Sequence, residues 1–191
     1  MTIADKIVQF WVHDTGPKGW YMGTEELDGT IRAQFQSHWQ MALEGGYLDW
    51  GQTARGALAY LILTDQFPRN MFRDDSRAFA TDELARSMTR SAIEQGFDLE
   101  IEGEERQFFY MPFEHSEDSY DQELSISLIA ERMPDHPTQL LHAKAHQEVI
   151  RKFGRFPYRN NALLRASSDE ETDFMLNGGY QMIIRKLDKK A

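Results

Sequence analysis

The chain has 191 residues, of which 41% are apolar and none is cysteine. A chain of this length and apolar content can bury a core without cross-links, and the lack of Cys excludes disulfides, thiolate metal sites and a cysteine nucleophile. The net charge of −10, from 31 acidic and 21 basic residues, disfavours nucleic acid and anionic membranes as partners because like charges repel.

The sequence also predicts where the protein is found. Its longest strongly apolar stretch, residues 57–63, is far shorter than the ~20 residues that a membrane-spanning helix needs. Residues 1–6 do not show a basic region followed by an apolar core, so we expect no secretory signal peptide. We therefore expect a cytoplasmic protein without a membrane partner.

Apolar residues recur with a helical period along most of the chain. The predicted helices span about residues 2–15, 24–44, 53–67, 77–95, 103–110, 116–133, 137–153 and 168–177. No segment has a convincing strand pattern, since Ile101 is flanked by acids and 182–184 is too short to support a sheet. The sequence predicts an all-α fold, an antiparallel array of about eight helices in a single domain of residues 1–191.

Polar residues mark the predicted helix starts. Thr24 precedes two glutamates, which favours a start there because acids stabilise the positive end of a helix. Ser116, followed by Glu117, is interpreted as the cap of the helix to about residue 133. Ser168 and Glu171 fit the capping-box pattern.

Proline and glycine mark the predicted helix ends and one further start. The loop 16–19 contains two glycines and a proline and is expected to end the first helix. Pro68 disfavours helical geometry at Phe67 and should end the third helix there. Pro137 suits a first helical turn, and Gly154 is expected to close that helix.

The first candidate motif is residues 65–70, where Asp65, Gln66, Arg69 and Asn70 crowd the end of an apolar helix. In a structural interpretation Asp65 pairs with an arginine, while Arg69 and Asn70 satisfy the last helical carbonyls. In a functional interpretation the arginine faces a cavity and binds a carboxylate or phosphate through two hydrogen bonds.

The second candidate motif is residues 109–117, where His115 and Glu117 follow an aromatic cluster. A histidine near a carboxylate can act as a general base or a metal ligand. The adjacent His-Ser-Glu residues are not a hydrolase triad, because triad members are placed by the fold and are rarely consecutive.

The third candidate motif is residues 153–160, which alternates Arg155 and Arg159 with aromatic residues before Asn160. Such interleaving permits cation–π contacts, but the acidic net charge argues against a nucleic-acid site. His142 and His146 are a separate pair on one helix face. They lack the glutamate of a zinc-protease motif and have Lys144 between them, so we expect a polar helix flank and no metal.

These three motifs, in this order, resemble the bacterial domain-of-unknown-function 924 family. Phe10-Trp11 and residues 77–82 are also similar to it, and the resemblance covers about residues 5–176. It implies an all-helical fold related to tetratricopeptide-like arrays and gives no activity to inherit. The chain departs from the family pattern at Tyr158, where a histidine is expected, and at Leu164, where a glycine is expected.

Three functions stay open. The leading hypothesis is a binding module that holds a peptide or a small anionic ligand in a polar-aromatic pocket where the three motifs meet, with Asp65 and Glu117 orienting the arginines. The alternative is an enzyme with His115 as general base, helped by Glu117, and an arginine holding an anionic substrate. The third is that every motif is structural. The predicted ligand-binding residues are Asp65, Gln66, Arg69, Asn70, Arg155, Arg159 and Asn160. No cofactor is expected, and the oligomeric state does not follow from the sequence.

Overall fold

The computed structural model describes residues 1–189, which contain helices and turns but no β-strand. The predicted all-α class is therefore confirmed. The chain forms two compact units, unit 1 at Met1–Pro112 and unit 2 from Phe113 onward. The expectations of a single domain and of a tetratricopeptide-like array stay predictions. Within the described part of the chain, no helix combines the length and the apolar character needed to cross a membrane.

Unit 1 is built from helices that are partly joined by π-helical turns. Its α-helices are α1 (Ile3–Val8), α2 (Gly16–Tyr21), α3 (Glu25–Leu43), α4 (Ala54–Leu61), α5 (Phe67–Met71) and α6 (Asp82–Glu94). A π-helical stretch, Gln9–Thr15, leads from α1 into α2. The prediction of a loop at 16–19 is therefore wrong. Pro17 lies in the first turn of α2, where its missing N–H costs little.

The core of unit 1 surrounds α4, in which every residue except Arg55 is buried. Phe67 of α5 stacks on Phe35 of α3 with the ring centres 4.8 Å apart, and its ring meets Trp11 edge-on at 5.4 Å. This aromatic packing joins three segments, because each of these helices presents an apolar stripe that must be covered. The predicted central position of the third helix is confirmed.

Pro68 does not end its helix, so that prediction is wrong: α5 runs through it from Phe67 to Met71. In an α-helix, residue 68 donates its N–H to the carbonyl oxygen of Thr64, and proline has no N–H to donate. The buried hydroxyl of Thr81 donates to that oxygen instead, at 2.5 Å. The same hydroxyl accepts from Nε1 of Trp39 at 3.1 Å. A hydrogen bond from another segment therefore supports the helix at Pro68.

Unit 2 is built from α-helices around a small apolar core. The one-turn helix α7 (Met111–Glu114) begins in unit 1 and ends in unit 2, where it is followed by α8 (Ser119–Arg132), α9 (Pro137–Phe153), α10 (Asp169–Leu176) and α11 (Gly179–Asp188). The core is formed by Ala145, Val149, Ile150, Phe156, Phe174 and Ile183. As predicted, α9 begins at Pro137 and closes at Gly154, which has a left-handed φ of 68°.

The start of α8 differs from the prediction. Asp118, not Ser116, caps this helix, because its carboxylate accepts from the backbone N–H groups of Tyr120 and Asp121. Ser116 accepts from the N–H of Asp118. Glu117 therefore lies before the helix and not in its first turn. This position leaves its carboxylate available to a distant arginine.

Candidate functional site

The first motif forms an ion-pair network inside unit 1. Nη1 of Arg69 lies 3.2 Å from the Asp65 carboxylate, and Nη2 donates to both carboxylate oxygens of Asp82, at 3.0 and 3.1 Å. The Gln66 amide donates to Asp65 at 2.6 Å, and both of these side chains are buried. The positive charge of Arg69 on α5 is thus balanced by Asp65 in the preceding π-helical turn and by Asp82 at the start of α6.

Asn70 takes part in a second network, centred on Asp28 of α3. Its amide donates to Asp28 at 2.8 Å, and Arg73 donates to the two carboxylate oxygens at 2.5 and 2.9 Å. Burial by itself would raise the pKa of Asp28. The hydrogen bonds from Arg73 and Asn70 outweigh it, so the pKa lies below its ordinary value. The carboxylate stays ionised and fastens α3 to the end of α5.

The second and third motifs come together in unit 2 through Arg165. Its guanidinium donates to both oxygens of Glu117, at 2.6 and 2.9 Å, and its Nε donates to the Asn160 side chain at 2.9 Å. Glu117 also accepts from the backbone N–H of Phe156 at 2.8 Å. Burial would raise the pKa of Glu117, but the bonds from Arg165 lower it overall. Arg165 is not among the candidates predicted from the sequence, and it lies 48 residues from its partner.

The two predicted arginines of the third motif have different surroundings. Arg155 donates to both oxygens of Glu171, at 2.6 and 2.8 Å, and this lowers the pKa of Glu171 to about 2. Arg159 is only 7% exposed, and its guanidinium carbon lies 4.4 Å from the ring centre of Phe156. This is the distance of a cation–π contact. Arg155 therefore fixes the start of α10, and Arg159 packs on the motif's own aromatic ring.

His115 belongs to an aromatic cluster around His146 of α9. The ring centres of His115 and His146 are 5.9 Å apart, and the ring of Phe156 meets His146 edge-on at 5.6 Å. Nδ1 of His146 donates to the carbonyl of His142 at 3.0 Å and lies 3.6 Å from the carboxylate of Glu114. Glu114 is buried, so the carboxylate beside this imidazole is shielded from water.

Tyr180 of α11 joins the two histidines that the sequence places one turn apart. Its hydroxyl lies 2.7 Å from Nδ1 of His142 and 3.5 Å from Nδ1 of His146. Burial lowers the pKa of His142, and the neighbouring His146 lowers it further against the opposing effect of Glu114. His142 is consequently neutral at pH 7, with one ring nitrogen available to accept a hydrogen bond.

A cavity of about 450 Å³ opens beside this cluster. The residues that line it include His146, Tyr158, Met175, Gly178, Gly179 and Tyr180. The rings of Tyr158 and Tyr180 meet edge-on at 6.4 Å, and Tyr158 stacks on Phe156 at 5.3 Å. Tyr158 is one of the two residues at which the chain departs from the expected family pattern, and here it forms part of the cavity wall.

The cavity adjoins the first turn of α11. Gly178 has a φ of 100°, a conformation that favours glycine, and it carries no side chain that could accept from the first-turn N–H groups. The last helix predicted from the sequence ends at about residue 177, so α11 was not predicted. The signal was present: Tyr180, Ile183, Ile184 and Leu187 have helical spacing, and all four pack in or against the core of unit 2.

The predicted candidates are divided between the units. Those of the first motif lie in unit 1, whereas His115, Glu117 and those of the third motif lie in unit 2. None of the cavity-lining residues described above is among the predicted catalytic or ligand-binding residues, although Tyr158 lies within the third motif and His146 belongs to the histidine pair of α9. His146 links the cavity to His115 and Phe156. Within residues 1–189, no group of three or more His, Cys, Asp or Glu is placed to hold a metal ion. The single pocket shared by all three motifs stays a prediction.

Comparison with known proteins identifies relatives without a stated activity. The model of a family described as "Bacterial protein of unknown function (DUF924)" matches residues 7–179. The chain is similar to the solved structure of a protein of unknown function, ATU0120, from Agrobacterium tumefaciens, with 36% sequence identity and a TM-score of 0.87. The match covers 92% of this chain and 98% of that one. A search of the curated proteins gave no match.

Proposed function

The chain belongs to the DUF924 family, whose description assigns no activity, and we propose from the pocket itself that the protein binds a small anionic ligand with an aromatic or apolar part. One observation carries the proposal: the unit 2 cavity combines aromatic walls with an imidazole and the first turn of α11. The aromatic walls and the imidazole favour a ligand with an apolar body and a polar group, and the start of α11 favours a negatively charged group.

The size of the cavity favours a small molecule over an extended peptide. Its volume of about 450 Å³ falls within the roughly 300–1,000 Å³ of typical small-molecule sites. Tyr158, Tyr180 and Met175 supply flat and flexible apolar surface. A planar ring of the ligand would pack between them.

The charge preference comes from the first turn of α11. The N-terminal end of a helix carries about half a positive charge, and its first N–H groups point away from the helix, as in many anion sites. At α11 the cap is a glycine, which has no side-chain oxygen of its own to compete for these N–H groups. The imidazole of His146 lines the same cavity and supplies a polar ring beside these N–H groups. A carboxylate is the simplest ligand group that these N–H groups would attract.

We assign the Glu117 and Arg165 pair a positioning role in this pocket. Glu117 holds the backbone of Phe156, and the ring of Phe156 contacts His146 and Tyr158, which both line the cavity. Arg155, Arg159 and Asn160 would stabilise the same segment. Asp65, Gln66, Arg69 and Asn70 would have the corresponding structural role in unit 1.

An enzymatic function is the second candidate, because a hydrogen-bonded pair of titratable groups meets the cavity wall. Neutral His142 can accept the proton of the Tyr180 hydroxyl, which lies 2.7 Å away, and Tyr180 lines the cavity. His115, the predicted general base, contacts His146 beside them. A bound substrate would then exchange a proton with one of these groups.

The remaining parts of the proposal rest on composition. We propose a cytoplasmic location and no nucleic-acid partner, as the chain lacks Cys and carries a charge of −10. Neither affects the binding test that follows.

The binding proposal is tested with phenylacetate and its neutral analogue phenylacetamide, by calorimetry and ligand-observed NMR at pH 6. We expect phenylacetate to bind about tenfold more tightly, which corresponds to about 1.4 kcal/mol, because only the carboxylate is attracted to the helix start. His146→Gln should weaken phenylacetate binding about tenfold. His13→Gln, a change at an exposed histidine of unit 1, should leave the affinity for phenylacetate unchanged. Equal affinity for the two compounds, or an unaffected His146→Gln variant, would reject the proposal.

A further inference from the structure

Unit 1 contains a cavity of its own, which none of the three motifs uses. Its volume is about 260 Å³, and it lies between the 3-10 turn Leu48–Gln52, α4 and α6. Leu84, Ser87, Met88 and Ser91 line it from one face of α6, since they follow the i, i+3, i+4, i+7 spacing of a helix. This face therefore offers two apolar side chains and two hydroxyls.

The wall formed by α4 contains a buried donor. Tyr60 lines the cavity and is 0% exposed, and among residues 1–189 its hydroxyl has no hydrogen-bond partner. Buried polar groups in proteins are nearly always hydrogen-bonded, since burying one without a partner costs a desolvation free energy that no hydrogen bond offsets. Burial also raises the pKa of Tyr60, so the hydroxyl keeps its proton and acts as a donor.

We propose that this cavity is a second ligand-binding site, for a small uncharged molecule with an apolar body and a hydrogen-bond acceptor oxygen. The acceptor oxygen would accept a hydrogen bond from the Tyr60 hydroxyl, and the apolar body would contact Leu84 and Met88. The lining residues found here carry no charged side chain, which disfavours an ion because it would be desolvated without a counter-charge. Ser87, Ser91 and Gln52 supply polar groups for a second polar contact.

The proposal is tested with two probes of nearly the same shape. Acetophenone carries a carbonyl oxygen, and α-methylstyrene replaces that oxygen with a CH₂ group. We expect the protein to bind acetophenone about fivefold to tenfold more tightly in chemical-shift titrations, the usual effect of one hydrogen bond. Tyr60→Phe should reduce this ratio to about one, and it removes no hydrogen bond of the protein, so the variant is expected to fold.

A second variant separates this cavity from the pocket of unit 2. Ser87→Trp places a large ring at an exposed lining position and should abolish acetophenone binding, whereas His146→Gln should leave it unchanged. Three results would overturn the proposal: equal affinities for both probes, acetophenone binding that survives Tyr60→Phe undiminished, or crystals soaked in acetophenone that show only an ordered water on the Tyr60 hydroxyl. Each can occur whether or not the unit 2 pocket binds an anion.

Discussion

Replacing Thr81 with valine tests how the helix passes through Pro68. Valine keeps the shape of threonine but removes the hydroxyl, which donates to the Thr64 carbonyl at 2.5 Å and accepts from Trp39 at 3.1 Å. The change creates no cavity, so its effect reports on the two hydrogen bonds. We expect the variant to fold and to be clearly less stable.

The magnitude follows from the burial of the groups left behind. Thr64, including its backbone carbonyl, is 0% exposed and Trp39 is 3% exposed, so water cannot easily replace the lost hydroxyl. A buried donor or acceptor left without a partner costs roughly 1–3 kcal/mol, and two of them cost roughly 2–5 kcal/mol. The Thr64 carbonyl is the more severe case, because Pro68 cannot supply the usual helical N–H.

The assay is urea unfolding followed by circular dichroism, with the free energy of unfolding compared between variants. Thr30→Val is the matched control in the same unit. Its hydroxyl also donates to a helical carbonyl, that of Glu26 at 2.9 Å, but in an exposed setting. The control should change stability by no more than about 0.5 kcal/mol. If Thr81→Val cost no more than the control, the role assigned to this hydroxyl would be refuted.

The remaining predictions concern unit 2 and the helix glycines. The pKa of Glu171 is lowered from 4.5 to about 2 in the folded protein, so its ion pair stabilises the fold above pH 4.5 and is lost as the pH falls toward 2. Thermal unfolding should show this acid-induced loss, and Glu171→Gln should flatten it; an unchanged acid profile would contradict the assignment. Gly154→Ala should cost about 1 kcal/mol because of its φ of 68°, whereas Gly29→Ala in α3 should stabilise by about 0.5–1 kcal/mol. Urea midpoints with the same sign for both glycine variants would refute this reasoning.

Helix positions follow from the sequence wherever neighbouring residues decide them. The side chain of Thr24 accepts from the first turn of α3, and Ser168 with Glu171 forms the predicted capping box. Pro137 and Gly154 bound α9 as expected. Each of these capping interactions forms between residues within one or two helical turns, so residues close together in the sequence decide them.

Two of the wrong helix boundaries, those at Pro68 and Ser116, have one cause in common. Pro68 is tolerated because Thr81, 17 residues away, donates to the Thr64 carbonyl. Ser116 and Asp118 are both good caps by residue type, and the fold uses the second, which leaves Glu117 before the helix and bound to Arg165. In both cases a contact from outside the local segment outweighs the local preference.

The sequence by itself determined the helical class, most helix caps and the motifs that mark the family, because these depend on residue type and on spacing along the chain. Only the tertiary structure decided which acid each arginine meets: Arg165 finds Glu117 across 48 residues, and Arg155 finds Glu171. The tertiary structure also brings His146, Tyr158 and Tyr180 together as lining residues of one cavity. The packing of the helices determines these contacts. The sequence gives the type of each residue, but residue type alone does not identify the distant residue that a carboxylate or a ring will contact.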